Sequence, residues 1–199
     1  MAVVKQPIAG VVYPSAEDSC EYARLPRFEQ ITFPQHYASV VAAHGTRMAV
    51  TDSGGSYTHL ELDDLSDRLA TALLDLGLQP LDRAIFQIPN GRELVLAVMA
   101  CLKAGIIPVC TLTAHRQAEI GYLARHASAR AHFIATDSPR FDFTAFASEM
   151  REAAPSLAFT IVTKGPAGVG QHGLQALIDS MPREQARARL ATVARDPAQ

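Results

Sequence analysis

The sequence contains no block of lysine and arginine residues that could form a basic face. Its formal net charge is −2 at pH 7, with 18 Lys and Arg against 20 Asp and Glu among 199 residues. Nucleic-acid-binding domains depend on clustered positive charge to contact phosphates, and this chain does not offer it. We therefore expect no nucleic-acid partner.

Cysteine is scarce, with three residues at positions 20, 101 and 110. An odd, scattered set is typical neither of a disulfide framework nor of a metal site, and the seven histidines form no metal-spaced pair. Cys101 and Cys110 fall in segments predicted to be buried, which favours core thiols over a disulfide or metal ligands. A reducing cytoplasm fits this use of cysteine.

The chain also lacks a long, uninterrupted hydrophobic run. Its most apolar window, 94–110, contains a lysine, a glycine and a proline, so it predicts a helix and a strand, not a membrane span. The first ten residues are interrupted by Pro7 and Gly10 and do not read as a secretory signal. We expect a soluble, cytoplasmic protein with no membrane span.

The stretch 89–109 organises the rest of the chain. Asn90 is predicted to cap a helix, and Glu93 to complete a capping box. That helix is apolar on nearly every side, which is typical of a buried helix. Gly105 predicts its end, and 106–110 reads as a short buried strand. Together these signals predict the central crossover of an α/β layer.

The same alternation of strands and helices continues along the chain. Strands are predicted at 84–88, 106–110, 131–136 and 158–163, each followed by a helix. This order predicts a three-layer αβα fold with a mostly parallel sheet, similar to Rossmann and flavodoxin-like domains. The hydrophobic content of 48% is ample for the core of such a domain.

Several boundaries are predicted from local signals. A helix follows Phe33, and a hairpin spans 48–57 around the turn Ser53-Gly54-Gly55-Ser56. Thr58 caps the next helix, with Glu61 as the capping-box acid, and Gly77 ends it. Further helices are expected from Ser138-Pro139, over 174–179 and over 182–194.

Residues 1–32 carry Pro7, Pro14 and Pro26 and show no steady period, so we predict an extended N-terminal arm. Residues 33–199 are predicted to form the α/β unit.

One glycine motif invites a functional interpretation. Gly168, Gly170 and Gly173 form a G-x-G-x-x-G pattern after a strand and before a helix, as in dinucleotide-binding sites. The first glycine lies too far beyond the strand, and no second strand ending in an acidic residue follows. Gln171 and His172 also stand where a phosphate loop requires Lys and Ser or Thr. The favoured interpretation is a surface loop, with a dinucleotide-binding protein as a weaker alternative.

The polar pair His115-Arg116 is the strongest candidate for a binding site. It follows a predicted strand at the carboxyl edge of the sheet, where α/β proteins bind ligands. Arg116 could bind a phosphate bidentately, or it could pair with Glu119 or with solvent, and both interpretations stay open. His132 is predicted to be a buried, satisfied strand residue.

Three pieces, at 49–83, 87–109 and 114–137, resemble in order and spacing the N-terminal region of the AMP-forming acyl- and aryl-CoA synthetases, the adenylate-forming superfamily. The first resembles the family's Tyr-Thr-x-Leu entry and its Ser-Asp-Arg-Leu-Ala helix. The second resembles its Pro-Asn…Leu-Lys-Ala-Gly…Pro-Val run. The form His-Arg-Gln-Ala-Glu-Ile at 115–120 is most similar to the branch that activates aryl acids.

The resemblance implies an ATP-dependent ligase. In the family, a carboxylate attacks the α-phosphate of ATP, and CoA or a pantetheine carrier protein then takes the acyl group. ATP, Mg²⁺ and CoA would serve the complete enzyme, and none is expected to be bound to this chain. The phosphate loop, the adenine- and ribose-binding segments and the lid with its catalytic Lys would all lie beyond residue 199.

The resemblance therefore implies that these 199 residues do not adenylate an acid by themselves and contain no catalytic residue. It allows one partial site, in which Arg116 and His115 contact a CoA phosphate. A naturally short, non-catalytic binding or structural relative is the alternative. In either case, a face exposed by truncation predicts self-association.

Overall fold

The computed structural model describes residues 9–26 and 31–193. Within these ranges the helices are α1 (Ala16–Arg24), α2 (Phe33–His44), α3 (His59–Leu76), α4 (Arg92–Ala104), α5 (Gln117–His126), α6 (Phe143–Ala153), α7 (Leu174–Asp179) and α8 (Arg183–Leu190). The strands are β1 (Met48–Asp52), β2 (Gly55–Thr58), β3 (Arg83–Gln87), β4 (Ile107–Cys110), β5 (Ala131–Ala135), β6 (Phe159–Lys164) and β7 (His172–Gly173). None of the described helices combines the length and apolar character needed to cross a bilayer.

A five-stranded parallel sheet lies at the centre, in the order β4-β3-β5-β6-β7. Helices α3, α4, α7 and α8 pack on one face, where the rings of Phe86 and Phe133 stack with centroids 4.5 Å apart. Helices α5 and α6 cover the opposite face, over Ile85, Ile134 and Val162. Strands buried on both faces need apolar side chains at successive positions, which β3 and β5 supply. The predicted three-layer αβα fold is confirmed.

Local signals define both ends of α3 and the C-terminal end of α4 as predicted. The Thr58 hydroxyl accepts the Glu61 backbone N–H at 3.2 Å, and the Glu61 carboxylate accepts the Thr58 N–H at 2.8 Å. Gly77 and Gly105 end the two helices in the left-handed region, with φ of 116° and 74°. The hairpin β1–β2 and the boundaries of α2 also follow the prediction.

The prediction of an extended N-terminal arm is wrong over α1. Ser15 caps this helix, since its hydroxyl accepts the Asp18 N–H at 3.0 Å while the Asp18 carboxylate bonds back to Ser15. Pro14 and Pro26 flank the helix and do not interrupt it, so their presence in the sequence does not exclude a helix between them. Residues 1–8 and 27–30 of the predicted arm lie outside the described residues, as do 194–199 at the other end.

The start of α4 is capped from a distant part of the chain. Gly91 occupies the N-cap position, and Asn90 does not cap the helix as predicted. The Asp52 carboxylate, at the end of β1, accepts the Arg92 N–H at 2.9 Å. This bond and a second from the Gly54 N–H lower the pKa of Asp52. The hairpin thereby supplies the cap that the local sequence was expected to provide.

One further boundary and the burial of one cysteine differ from the prediction. Helix α6 begins at Phe143, where the Asp142 carboxylate accepts the Ala145 N–H at 2.9 Å; it does not begin at Ser138-Pro139. Strand β4 lies at the edge of the sheet, so Cys110 is exposed and is not a core thiol. Cys101 is buried as predicted, and burial raises the pKa of its thiol.

Lys103, in the last turn of α4, is buried, with 3% of its surface exposed. Its ammonium group donates to the carboxylates of Asp63 and Asp67, each at 2.7 Å, and to the Asp63 carbonyl at 2.9 Å. Both aspartates belong to α3. A buried ion cluster therefore joins the two central helices.

Candidate functional site

A cleft of about 340 Å³ opens at the carboxyl edge of the parallel sheet. The loops that follow β3, β4 and β5 surround it, as expected where parallel strands end side by side. Its lining residues are Gln87, Pro89, Thr113, Ala114, Arg116, Ala135, Asp137, Ser138, Arg140, Phe141 and Phe143. The structure thus brings the predicted Arg116 together with the aromatic start of α6.

Arg116 is held at this cleft by its own loop and by an aromatic ring. Its Nη1 donates to the carbonyls of Thr113, at 2.8 Å, and His115, at 2.7 Å. Its guanidinium carbon lies 4.0 Å from the ring centroid of Phe141, within the range of a cation–π contact. The residue itself is exposed. This geometry fixes a positive charge at the cleft while leaving it open to solvent.

The carboxylate of Glu119 does not form an ion pair with the guanidinium group of Arg116. Its carboxylate accepts the Arg116 backbone N–H at 2.9 Å, which is a capping bond at the start of α5. That bond is the main cause of the lowered pKa of Glu119, with a smaller contribution from the charge of Arg116. The side chain of Arg116 therefore remains available to a ligand.

His115 contributes to the site through its backbone carbonyl, which accepts from Arg116, and not through its ring. The imidazole Nδ1 lies 3.4 Å from the Leu112 backbone nitrogen, within the same loop, and the side chain is half-buried. The structure does not bring the His115 ring into the lining of the cleft.

The charge of the cleft is positive on balance. Arg116 and Arg140 line it together with one acidic residue, Asp137, whose carboxylate lies 3.7 Å from the ammonium group of Lys164. A site with two guanidinium groups and one already paired carboxylate favours an anionic ligand, and guanidinium groups match the oxygens of a phosphate.

Gln87 lines the inner wall of the cleft and His132 lies behind it, and both polar residues are 0% exposed. His132 Nε2 lies 3.0 Å from Gln87 Oε1, which confirms the buried histidine and satisfies one of its nitrogens. Its Nδ1 has no hydrogen-bond partner among the described residues. Burial lowers the pKa of His132 to about 4. Gln87 was not identified from the sequence, because a single glutamine at the end of a strand does not by itself indicate a functional residue.

The three glycines of the motif do not line this cleft. Gly168 is half-buried and Gly170 is exposed, and Gln171 anchors the loop by donating to the Thr144 carbonyl at 3.1 Å. His172 and Gly173 then pair with β6 as the short strand β7. The predicted surface loop is confirmed for its first part, while β7 was not predicted. In the described part of the chain, no group of three or more His, Cys, Asp or Glu side chains could hold a metal ion.

Comparison with known proteins identifies the family. The model of the AMP-binding enzyme family matches residues 37–193. A salicylyl-CoA synthase / salicylate adenylyltransferase from a Streptomyces species is 39% identical over 156 residues, which are 77% of this chain and 28% of that protein. A salicyl-AMP ligase / salicyl-S-ArCP synthetase from Mycobacterium tuberculosis is 39% identical over 125 residues, 60% of this chain and 22% of that protein.

The fold agrees with these relatives. The apo structure of MbtA from Mycobacterium smegmatis superposes with a TM-score of 0.83 and 27% identity, covering 96% of this chain and 34% of that one. The chain thus spans about a third or less of the length of these relatives. Its five-stranded sheet and flanking helices match the N-terminal domain of adenylate-forming enzymes, and the resemblance to the aryl-acid-activating branch is confirmed. We conclude that the chain belongs to the AMP-binding enzyme family.

Proposed function

We propose that this chain is the N-terminal part of an ATP-dependent ligase that adenylates an aryl acid and transfers the acyl group to a thiol. The observation that carries the proposal is the match of residues 37–193 to the family, together with relatives named for salicylate activation. In the first step a carboxylate oxygen attacks the α-phosphate of ATP, and pyrophosphate leaves. In the second step a thiol sulfur attacks the acyl carbon, and AMP leaves.

The thiol could belong to CoA or to a pantetheine carrier protein, since the two relatives are named for one acceptor each. Both acceptors carry a phosphate beside the pantetheine arm, so both offer an anion to a basic cleft. We propose that Arg116, assisted by the loop carbonyl of His115, contacts this phosphate. The exposed guanidinium, held over Phe141 at the cleft, supports this assignment.

The family implies that the complete protein uses ATP and Mg²⁺, and the metal would neutralise phosphate charge in the adenylation step. The cleft residues suit a phosphate group and not a divalent cation, since guanidinium groups outnumber its one carboxylate. We expect the phosphate loop and the catalytic Lys of the family to lie outside these 199 residues. We therefore propose that the chain alone does not catalyse adenylation.

The first experiment is to read the gene beyond codon 199 and assay the complete product. Acid-dependent ATP–pyrophosphate exchange should occur with salicylate or 2,3-dihydroxybenzoate and be weak with fatty acids, and the 199-residue chain should show none. Exchange that prefers fatty acids would overturn the aryl-acid assignment. A stop codon after Gln199 would overturn the ligase proposal and favour a short, non-catalytic relative.

The thiol contact is tested separately in the complete protein. Arg116→Ala should raise the KM for the thiol acceptor about tenfold, since one charged phosphate contact is lost, and leave ATP–pyrophosphate exchange unchanged. Arg125→Ala is the matched control, because Arg125 is an exposed arginine at the other end of α5, with Nη1 3.5 Å from the Ala153 carbonyl. An acceptor KM that is equal in both variants would contradict the contact.

We further propose a cytoplasmic location and self-association of the isolated chain. Light scattering after gel filtration should give a mass that rises above one chain with concentration. A constant monomer mass would contradict self-association.

A further inference from the structure

Gln87 is a buried residue at the end of β3 whose amide group bonds on both sides. Its Nε2 donates to the carbonyl of His115 at 2.8 Å, 28 residues along the chain. Its Oε1 lies 3.0 Å from Nε2 of His132, on the adjacent strand β5. The glutamine therefore links the core of the sheet to the loop that carries Arg116.

The direction of these hydrogen bonds follows from their chemistry. A carbonyl can only accept, so Gln87 must turn its NH₂ group toward His115 and its oxygen toward His132. His132 must then donate through a protonated Nε2. Burial lowers the pKa of this histidine to about 4, so it stays neutral near pH 7 and keeps a single N–H. The bonds thus run from His132 to Gln87 and from Gln87 to the His115 carbonyl.

The same carbonyl also holds the guanidinium group. His115 accepts from Gln87 at 2.8 Å and from Nη1 of Arg116 at 2.7 Å. The position of Arg116 over the ring of Phe141 therefore depends on a carbonyl whose place is set from inside the sheet.

We propose that Gln87 and His132 are positioning residues that hold the loop 111–116, and with it Arg116, at the edge of the cleft. The effect of this positioning on catalysis rests on the proposed contact between Arg116 and the phosphate of the thiol acceptor. Both act through the position of Arg116, with Gln87 at the inner wall of the cleft and His132 behind it. Their loss loosens the loop, so the acceptor binds a less ordered guanidinium.

A purely structural role would leave the loop unaffected once the core is repacked. Gln87→Met removes the amide group at similar side-chain length but leaves the His132 N–H unpaired, which is expected to destabilise the whole chain. The double variant Gln87→Met/His132→Phe replaces both buried polar groups by apolar ones. It should regain most of the stability while the His115 carbonyl still lacks its partner in the core.

Hydrogen exchange of the backbone amides at 111–116 in the 199-residue chain is the direct measurement. Relative to amides of β5 and β6, exchange in this loop should be about tenfold faster in both variants. Thr163→Val is the matched control, since it removes a buried hydrogen bond to the Ile134 carbonyl, 3.0 Å long, without touching this pair. Loop exchange unchanged in the double variant overturns the proposal.

The second measurement uses the complete protein and separates the two proposals. The double variant should raise the KM for the thiol acceptor severalfold, in parallel with Arg116→Ala, and leave ATP–pyrophosphate exchange unchanged. If loop exchange accelerates while neither variant alters that KM, the positioning role stands and the proposed phosphate contact fails. If Arg116→Ala raises the KM and the double variant changes neither loop exchange nor KM, the positioning role fails alone.

Discussion

Replacing Lys103 with methionine is expected to lower the free energy of unfolding by about 3 kcal/mol. Methionine keeps most of the packing of the lysine stem and removes the charge. In the wild-type chain the ammonium group lies 2.7 Å from both the Asp63 and the Asp67 carboxylates, and its side chain is 4% exposed. The substitution therefore leaves the two neighbouring carboxylates of α3 facing α4 without their cation.

The magnitude follows from two opposed terms. Coulomb's law at an effective dielectric constant of about 20 gives roughly 6 kcal/mol for each contact at this distance. Most of this gain is offset in the wild-type chain by removing the ammonium group from water, a penalty of several kcal/mol. The side chains of Asp63 and Asp67 are 23% and 15% exposed, so water partly stabilises them after the cation is lost. The expected loss is therefore at the lower end of about 3–5 kcal/mol seen for broken buried pairs.

Urea unfolding followed by circular dichroism measures this loss. Lys164→Met is the matched control, because the Lys164 side chain is 48% exposed and its pair with Asp137 spans 3.7 Å; it should cost under about 1 kcal/mol. Adding Asp63→Asn and Asp67→Asn to Lys103→Met should recover part of the lost stability by removing the repulsion. If Lys103→Met costs no more than Lys164→Met, the buried cluster does not hold α3 against α4.

Two further predictions concern the core and a helix end. The folded pKa of His132, about 4, lies below its ordinary value of 6.5, so the unfolded chain binds more protons between these values. Stability should fall by about 3 kcal/mol as the pH drops from 6.5 to 4, and unfolding curves of His132→Phe should lack this slope. Gly105→Ala should cost about 1–2 kcal/mol, because φ is 74° and the new Cβ would lie 3.2 Å from Pro80. Gly173→Ala, at φ −70° and with 3.8 Å to Ala176, should leave the melting temperature within about 2 °C of wild type, and equal losses in the two variants would contradict the strain at Gly105.

The sequence by itself determined the elements whose signals lie within a few residues. The capping pair Thr58–Glu61 and the helix-ending Gly77 and Gly105 act within one turn, so they could be read directly. Buried parallel strands are recognisable as continuous apolar runs, and the alternation of these runs with helices predicted the three-layer fold. The family resemblance rested on the same local segments. His115-Arg116 could be selected because the carboxyl edge of a parallel sheet is where such folds bind ligands.

Only the tertiary structure decided which distant residues meet. Asp52 caps α4 from 40 positions away, and Lys103 finds its carboxylates 36 and 40 positions earlier. Gln87 meets His132 across 45 positions, and Arg116 lies on Phe141 in a different loop. These contacts depend on strand order and on which helix covers which face, and no local pattern encodes either. Hydrogen bonds between remote side chains exist only where the folded sheet brings their segments together, so the contacts of Gln87 with His115 and His132 could not be predicted from the sequence.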